Sequence, residues 1–177
     1  MWIVLGVLAV VAVALVSLAA SRKRRSDQLR EGFGPEYDRV VDETGDRREA
    51  ERELKERQER HDELDIRPLS DGARTRYVEE WRLVQARFVD EPEAAVRDAD
   101  VLMRRVMEDR GYPAADDFER RAADISVDYP DVVENFREGH RLAGEDDTES
   151  LRRAMVHFRS LFDELVEAGR THEEVRS

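Results

Sequence analysis

Cysteine is absent from this chain of 177 residues, so the sequence excludes disulfides, zinc–thiolate sites and thiol catalysis. Lysine is almost absent too, because Lys23 and Lys55 are the two lysines among 30 basic residues. An arginine excess can indicate recognition of phosphate or carboxylate groups. We attribute it instead to the base composition of the source genome.

Recognisable catalytic, metal-binding and nucleotide-binding motifs are also missing. Gly32-Phe33-Gly34 follows no strand pattern and precedes no Gly-Lys-Ser/Thr, which argues against a phosphate loop. No histidine falls in a His-Glu-x-x-His, Glu-x-x-His or His-x-x-x-His spacing, which would place two metal ligands on one helical face. The acidic cluster Asp116, Asp117, Glu119 and Asp124 lacks the calcium-loop pattern and is interpreted as a solvated face. We therefore predict no catalytic residue, no metal and no cofactor.

Histidines are the residues on which an alternative would depend. His140 follows Phe136 by four residues, and His157 adjoins Phe158, so both could line a cleft between helices. A ligand-binding protein or enzyme with a site near His140 and His157 is the alternative function. His61 lies among charged residues and is interpreted as a surface histidine.

Long apolar runs are limited to the N-terminus, where residues 1–20 contain no ionisable side chain. About 20 helical residues cover the roughly 30 Å hydrocarbon core of a bilayer. We predict a transmembrane anchor over residues 1–21.

The anchor is followed at once by a basic collar, Arg22, Lys23, Arg24 and Arg25. Because basic residues favour the cytoplasmic side, the collar predicts an outside N-terminus and a cytoplasmic C-terminal domain in the cell membrane. We expect these four side chains to contact anionic lipid head groups. A cleaved signal peptide, which would release a secreted protein, is the alternative, but its positive charge would precede a shorter apolar run.

Negative charge dominates the rest of the chain. Residues 22–34 contain five basic and two acidic residues, whereas the whole protein has a formal net charge of −12. The body beyond residue 34 is therefore strongly acidic, which disfavours nucleic acid as a partner.

A charged helical spacer is predicted at 35–65, after a basic juxtamembrane segment and Gly-Pro hinge at 22–34. Opposite charges four residues apart, such as Glu51 and Lys55, stabilise a helix. Leu54 and Leu64 are the only sizeable apolar residues after position 46 in this segment, so we expect a solvated helix rather than a coiled coil.

Apolar residues recur at helical spacing from 66 to 168, followed by a polar tail at 169–177. The first stripe is Tyr77, Trp81, Val84 and Phe88, and the most regular is Leu151, Met155, Phe158, Phe162 and Leu165. Pro92 and Gly111 predict the two ends of one helix, and Thr148 is a predicted cap of another. The fold class is all-α, namely a transmembrane helix, a charged spacer helix and a compact bundle of about five helices.

Four segments of this domain resemble a group of uncharacterised actinobacterial proteins, namely WRLVQARFVD from Trp81, RGYP from Arg110, SVDYPDVVENF from Ser126 and LRRAMVHFRSLF from Leu151. The resemblance covers roughly residues 67–166. It implies one N-terminal span and a helical C-terminal domain, and it implies no activity.

Anchor, collar, spacer and bundle together predict a membrane-tethered interaction module rather than an enzyme. We expect its partners to be the lipid bilayer and a protein at the cytoplasmic face.

Overall fold

The computed structural model describes residues 17, 20, 21, 23–115 and 117–168, and within these ranges all regular secondary structure is helical. The eight described helices are α1 (23–33), α2 (Pro35–Thr44), α3 (Arg47–Asp62), α4 (Asp71–Arg87), α5 (Pro92–Arg110), α6 (Phe118–Asp128), α7 (Val133–Leu142) and α8 (Thr148–Glu167). The prediction of an all-α fold is confirmed for this part of the chain.

Several predicted segments lie outside the described residues. They are the apolar anchor apart from residues 17, 20 and 21, the collar residue Arg22, and the polar tail at 169–177. Among the residues that are described, no helix combines the length and the apolar character needed to cross a bilayer.

The chain divides into two compact units, Met1–Glu56 (unit 1) and Arg57–Ser177 (unit 2). The boundary falls within α3, whereas the sequence pattern places the start of the bundle at residue 66. Each unit has its own buried side chains, and each is described by itself below.

Unit 1 contains α1, α2 and the first part of α3, and few of its described side chains are buried. Gly34 separates α1 from α2 with a positive φ of 48°, and Pro35 opens α2 directly after it. The predicted helix break is therefore present, and it occupies a single residue. The buried apolar side chains described in this unit are Phe33, Tyr37, Val40, Ala50 and Leu54.

The expectation that residues 46–65 form a solvated helix needs correction. Residues Arg47–Asp62 are helical, but Ala50 and Leu54 are both fully buried. They lie four residues apart and therefore share one face of α3. A stripe of one alanine and one leucine is too narrow to be recognised by its periodicity, and the charges on the other faces dominate the pattern.

Unit 2 is a bundle of α4 to α8 around an apolar core, as predicted. α8 packs against α5 and α7, and α4 packs against α5. Trp81 is 1% exposed and stacks on Phe162 with the ring centroids 4.6 Å apart. The α8 stripe predicted from the sequence is buried throughout: Leu151, Met155, Phe158, Phe162 and Leu165.

Helix ends in unit 2 follow local chemistry. Ser70 caps α4 by accepting a hydrogen bond from the Ala73 amide, and Gly111 ends α5 with a φ of 101°. Asp147 caps α8 by accepting from the Ser150 amide, so the predicted cap at Thr148 is one residue late. Asp and Thr are both favoured at the N-cap position, so the residue type alone does not distinguish Asp147 from Thr148.

Candidate functional site

The collar lies beside the start of α3 in unit 1. Lys23 and Arg25 line an open groove of about 580 Å³ together with Arg47 and Arg48 from α3. Ser26 and Glu51 complete the lining, and we call this feature the collar groove. Four cations and one carboxylate therefore face one space within a single unit.

A polar network fixes one wall of the collar groove. The Glu51 Oε1 atom accepts hydrogen bonds from Ser26 Oγ at 2.6 Å and Tyr37 Oη at 2.8 Å. Arg47 Nε donates to the same carboxylate oxygen at 3.0 Å and to Tyr37 Oη at 2.9 Å, and Arg47 also donates to Ser26. One residue from α1, one from α2 and two from α3 are thereby held together.

The network keeps Glu51 ionised. Partial burial favours the neutral acid, but hydrogen bonds from Ser26, Tyr37 and Arg47 outweigh it and lower the pKa of Glu51. The first turn of α3 is fixed as well, because Asp46 Oδ1 accepts from the amides of Arg48 and Glu49 at 2.7 and 3.2 Å. These bonds set the position from which the Arg48 side chain extends.

The four predicted collar residues do not all line the collar groove. Lys23 and Arg25 line the collar groove, Arg24 does not, and Arg22 lies outside the described residues. Arg47 and Arg48 were missed by sequence reasoning because they lie more than 20 positions away from the collar. The sequence signal that could have pointed to them is the pair of arginines directly after Gly45-Asp46, where α3 begins.

A second surface feature lies in unit 2 between α4 and α8. Phe88, Met155 and Val156 form its apolar part, and the groove holds about 260 Å³. Val156 is 57% exposed, and Phe88 is only partly buried against the core. We call this feature the α4/α8 groove.

Charged and polar side chains border the α4/α8 groove, namely Gln85, Arg152 and Arg159. Arg152 donates to Glu149 at 2.6 and 2.8 Å, and Arg159 donates to both carboxylate oxygens of Asp163 at 2.7 Å. The rim therefore presents both signs of charge. Arg159 also lies over the Trp81 ring at 5.9 Å, which joins the rim to the core.

The two histidines of the alternative function have separate partners. His140 stacks on Phe118 with centroids 3.7 Å apart and the rings nearly parallel, and burial lowers its pKa. His157 contacts the Asn135 side chain through Nδ1 at 3.2 Å. Neither ring lines the collar groove or the α4/α8 groove.

His61 has a partner that the sequence pattern did not indicate. Its Nε2 atom lies 2.7 Å from Asp128 Oδ2, and Tyr112 donates its hydroxyl to the same oxygen. Burial and the Asp128 carboxylate raise the pKa of Tyr112, which therefore remains a donor. His61 is partly exposed, and its partner Asp128 lies 67 residues further along the chain, so no local pattern indicated this pairing.

The acidic cluster around α6 is dispersed by the fold. Asp117 caps α6 by accepting from the Arg120 amide, whereas Asp124 is buried in the same helix. Burial raises the pKa of Asp124, and Arg120 is the largest opposing influence. Asp116 lies outside the described residues, and the described part of the chain contains no group of three or more ligands suited to a metal ion.

No protein-family model, curated protein or solved structure matches this chain.

Proposed function

We propose that this chain is a membrane-tethered interaction module, which holds its helical bundle at the cytoplasmic face of the cell membrane and docks a partner protein there. Residues 1–21 serve as the anchor, and the collar contacts anionic head groups. The module performs no catalysis in this role. The resemblance to single-span actinobacterial proteins supports the same arrangement.

The α4/α8 groove is the observation that supports docking best. Exposed apolar side chains are normally few and scattered, whereas the exposed Val156 lies beside the partly buried Phe88 and the core residue Met155 in one groove between two helices. Such a groove between helices can accept the apolar face of a partner helix.

Charge specifies the partner further. The arginines of the rim are held by Glu149 and Asp163, so the rim alternates in sign. A helix with one apolar side and charges of both signs beside it is the complementary surface. The net negative charge of the chain favours association with a basic or mixed-charge protein, and this attraction weakens with salt.

Site-specific photocrosslinking of the full chain in its native host tests the proposal. A photoreactive side chain replaces Val156 in the α4/α8 groove, and the matched control replaces Val101 of α5, which is 50% exposed. We expect one polypeptide to be captured from position 156 and not from position 101.

Charge reversal provides the second readout. Arg152→Glu should reduce this capture at least tenfold, because the reversed charge would face acidic residues of the partner and such like-charge contacts cost several kcal/mol. Arg97→Glu is the control, since Arg97 is also exposed and pairs with a glutamate on its own helix. Equal capture from positions 101 and 156, or equal losses in the two arginine variants, would contradict docking at this groove.

A further inference from the structure

Three of the four cations that line the collar groove form no ion pair with a described residue, whereas the fourth, Arg47, pairs with Glu51. Arg30, Arg39 and Arg52 each form an ion pair with a carboxylate of the same unit. Lys23, Arg25 and Arg48 form none with any described residue, although they line the same space. Three cations in one groove without an ion pair to a described residue indicate a site for an anion.

Glu51 is the one carboxylate among the described residues of the lining, and it does not neutralise these cations. Its Oε1 atom already accepts from Ser26, Tyr37 and Arg47, so its charge is balanced mainly by Arg47. The network therefore provides a rigid wall, and Lys23, Arg25 and Arg48 supply the excess positive charge.

Hydrogen bonds within the protein position both sides of the groove. Arg47 connects α3 to Ser26 on α1, one residue after Arg25. The Asp46 cap fixes the backbone of Arg48. Because these bonds fix the backbone on both sides of the groove before any ligand binds, less ordering is needed on binding.

We infer that the collar groove is a binding site for a phosphomonoester group. Such a group has a charge of about −1.5 to −2 at pH 7 and three acceptor oxygens, which matches three cations from two helices. A phosphodiester has a single negative charge and two free oxygens, so it would satisfy the same cations less completely. The phosphate could belong to a lipid head group or to a small soluble molecule.

This inference extends the collar's proposed contact with lipid from general attraction to a defined site. Binding of a lipid phosphate depends on the proposed membrane tether, whereas binding of a soluble phosphate does not. General attraction predicts that each lost charge weakens binding equally. A built site predicts that the lining residues matter and that their neighbour Arg24 does not.

Titration of the full chain in zwitterionic micelles, followed through the arginine side-chain NMR signals, tests the site. The three ligands are short-chain phosphatidic acid, short-chain phosphatidylserine and inorganic phosphate. We expect phosphatidic acid to bind about tenfold more tightly than phosphatidylserine, as one additional charge-assisted contact would provide. Inorganic phosphate that shifts the same signals would indicate that soluble phosphates also bind, whereas binding of phosphatidic acid alone would identify a lipid site.

Variants separate the site from general attraction. Arg48→Gln and Arg25→Gln should each remove the preference for phosphatidic acid, and Arg24→Gln should retain it while weakening both lipids. Unchanged circular dichroism would show that the variants are folded. Equal affinity for the two lipids together with no response to phosphate, or loss of the preference in Arg24→Gln, would overturn the inference. Release of the chain from membranes would count against the tether and not against the phosphate site.

Discussion

Unit 1 and unit 2 bury different kinds of side chain. In unit 1 the contacts that connect its helices include a polar network centred on Glu51, and the described apolar core consists of five side chains. In unit 2 the corresponding contacts are apolar and aromatic, with Trp81 stacked on Phe162 and Phe118 packed on Phe136.

The difference concerns both stability and specificity. Apolar burial contributes roughly 25 cal/mol per Å², so the larger core of unit 2 should dominate the stability of the chain. A hydrogen-bonded network contributes little net free energy, but it fixes geometry, and its integrity depends on pH. Unit 1 is therefore expected to be the more sensitive to charge, and unit 2 the more sensitive to volume.

The largest effect should follow from Trp81→Ala in unit 2. Removing this 1%-exposed side chain leaves a cavity against Phe162 and should cost about 3–5 kcal/mol, measured by chemical denaturation with circular dichroism. Trp81→Phe is the control, because it retains an aromatic ring and removes an indole nitrogen that is buried without a hydrogen-bond partner. A loss in Trp81→Ala no larger than in Trp81→Phe would show that unit 2 is loosely packed.

A pair of glycines compares the two units directly. Gly111 has a φ of 101°, and an added Cβ would clash with the Asp65 carbonyl oxygen. Gly45 in unit 1 has a φ of 66° with no atom within 4 Å of an added Cβ. We expect Gly111→Ala to destabilise by more than about 2 kcal/mol and Gly45→Ala by about 1 kcal/mol, since only the first adds a backbone clash to the unfavourable φ. Similar melting of the two variants would contradict the tight packing at Gly111.

Acid should affect the two units in opposite directions through Glu51 and Asp124. The pKa of Glu51 is lowered by its hydrogen bonds, so its contribution is present above the ordinary value of 4.5 and is lost as the pH falls through the folded value below it. The pKa of Asp124 is raised by burial, so the cost of its charge is relieved as the pH falls through the folded value towards 3.8.

Hydrogen exchange of unit 1 and unit 2 amides in Glu51→Gln and Asp124→Asn measures both responses. At pH 7 Glu51→Gln should weaken protection in unit 1 by about 1 kcal/mol, and this difference should shrink below pH 4.5. Asp124→Asn removes the buried charge, so unit 2 should no longer gain protection as the pH falls. Parallel acid responses of both units in the unmodified chain would count against the assignment of these two groups.

The smallest effect is expected from exposed ion pairs. Arg82 donates to Glu79 at 2.6 Å, but both side chains are largely exposed. Arg82→Gln should change stability by less than about 0.5 kcal/mol, because solvent screens such pairs. A loss above 1 kcal/mol in thermal unfolding would mean that surface charges contribute far more to this bundle than their exposure indicates.

Sequence patterns predicted the helices of unit 2 well, because their boundaries depend on local chemistry. Pro92 and Gly111 stand at the two ends of α5 as expected, and the α8 stripe is buried throughout. The start of α6 follows local chemistry too, because Asp117 caps it.

Contacts between distant segments could not be predicted in the same way. Neither the pairing of His61 with Asp128 nor the approach of Arg48 to the collar leaves a periodic pattern, because each depends on how helices pack. The burial of Leu54 was missed for a related reason. A single leucine among charged residues gives the same sequence pattern whether it is buried or exposed. The candidate sites were thus less predictable than the helices that position them.

Labelling of a single introduced cysteine tests the membrane tether most directly. The chain has no cysteine of its own, so Val101→Cys places one reactive thiol on the surface of unit 2. The proposed arrangement predicts that the full chain sediments with membranes, and that a membrane-impermeant maleimide labels position 101 only after the inner membrane is opened. Labelling in intact cells, or recovery of the chain in the soluble fraction, would contradict a cytoplasmic bundle held at the membrane.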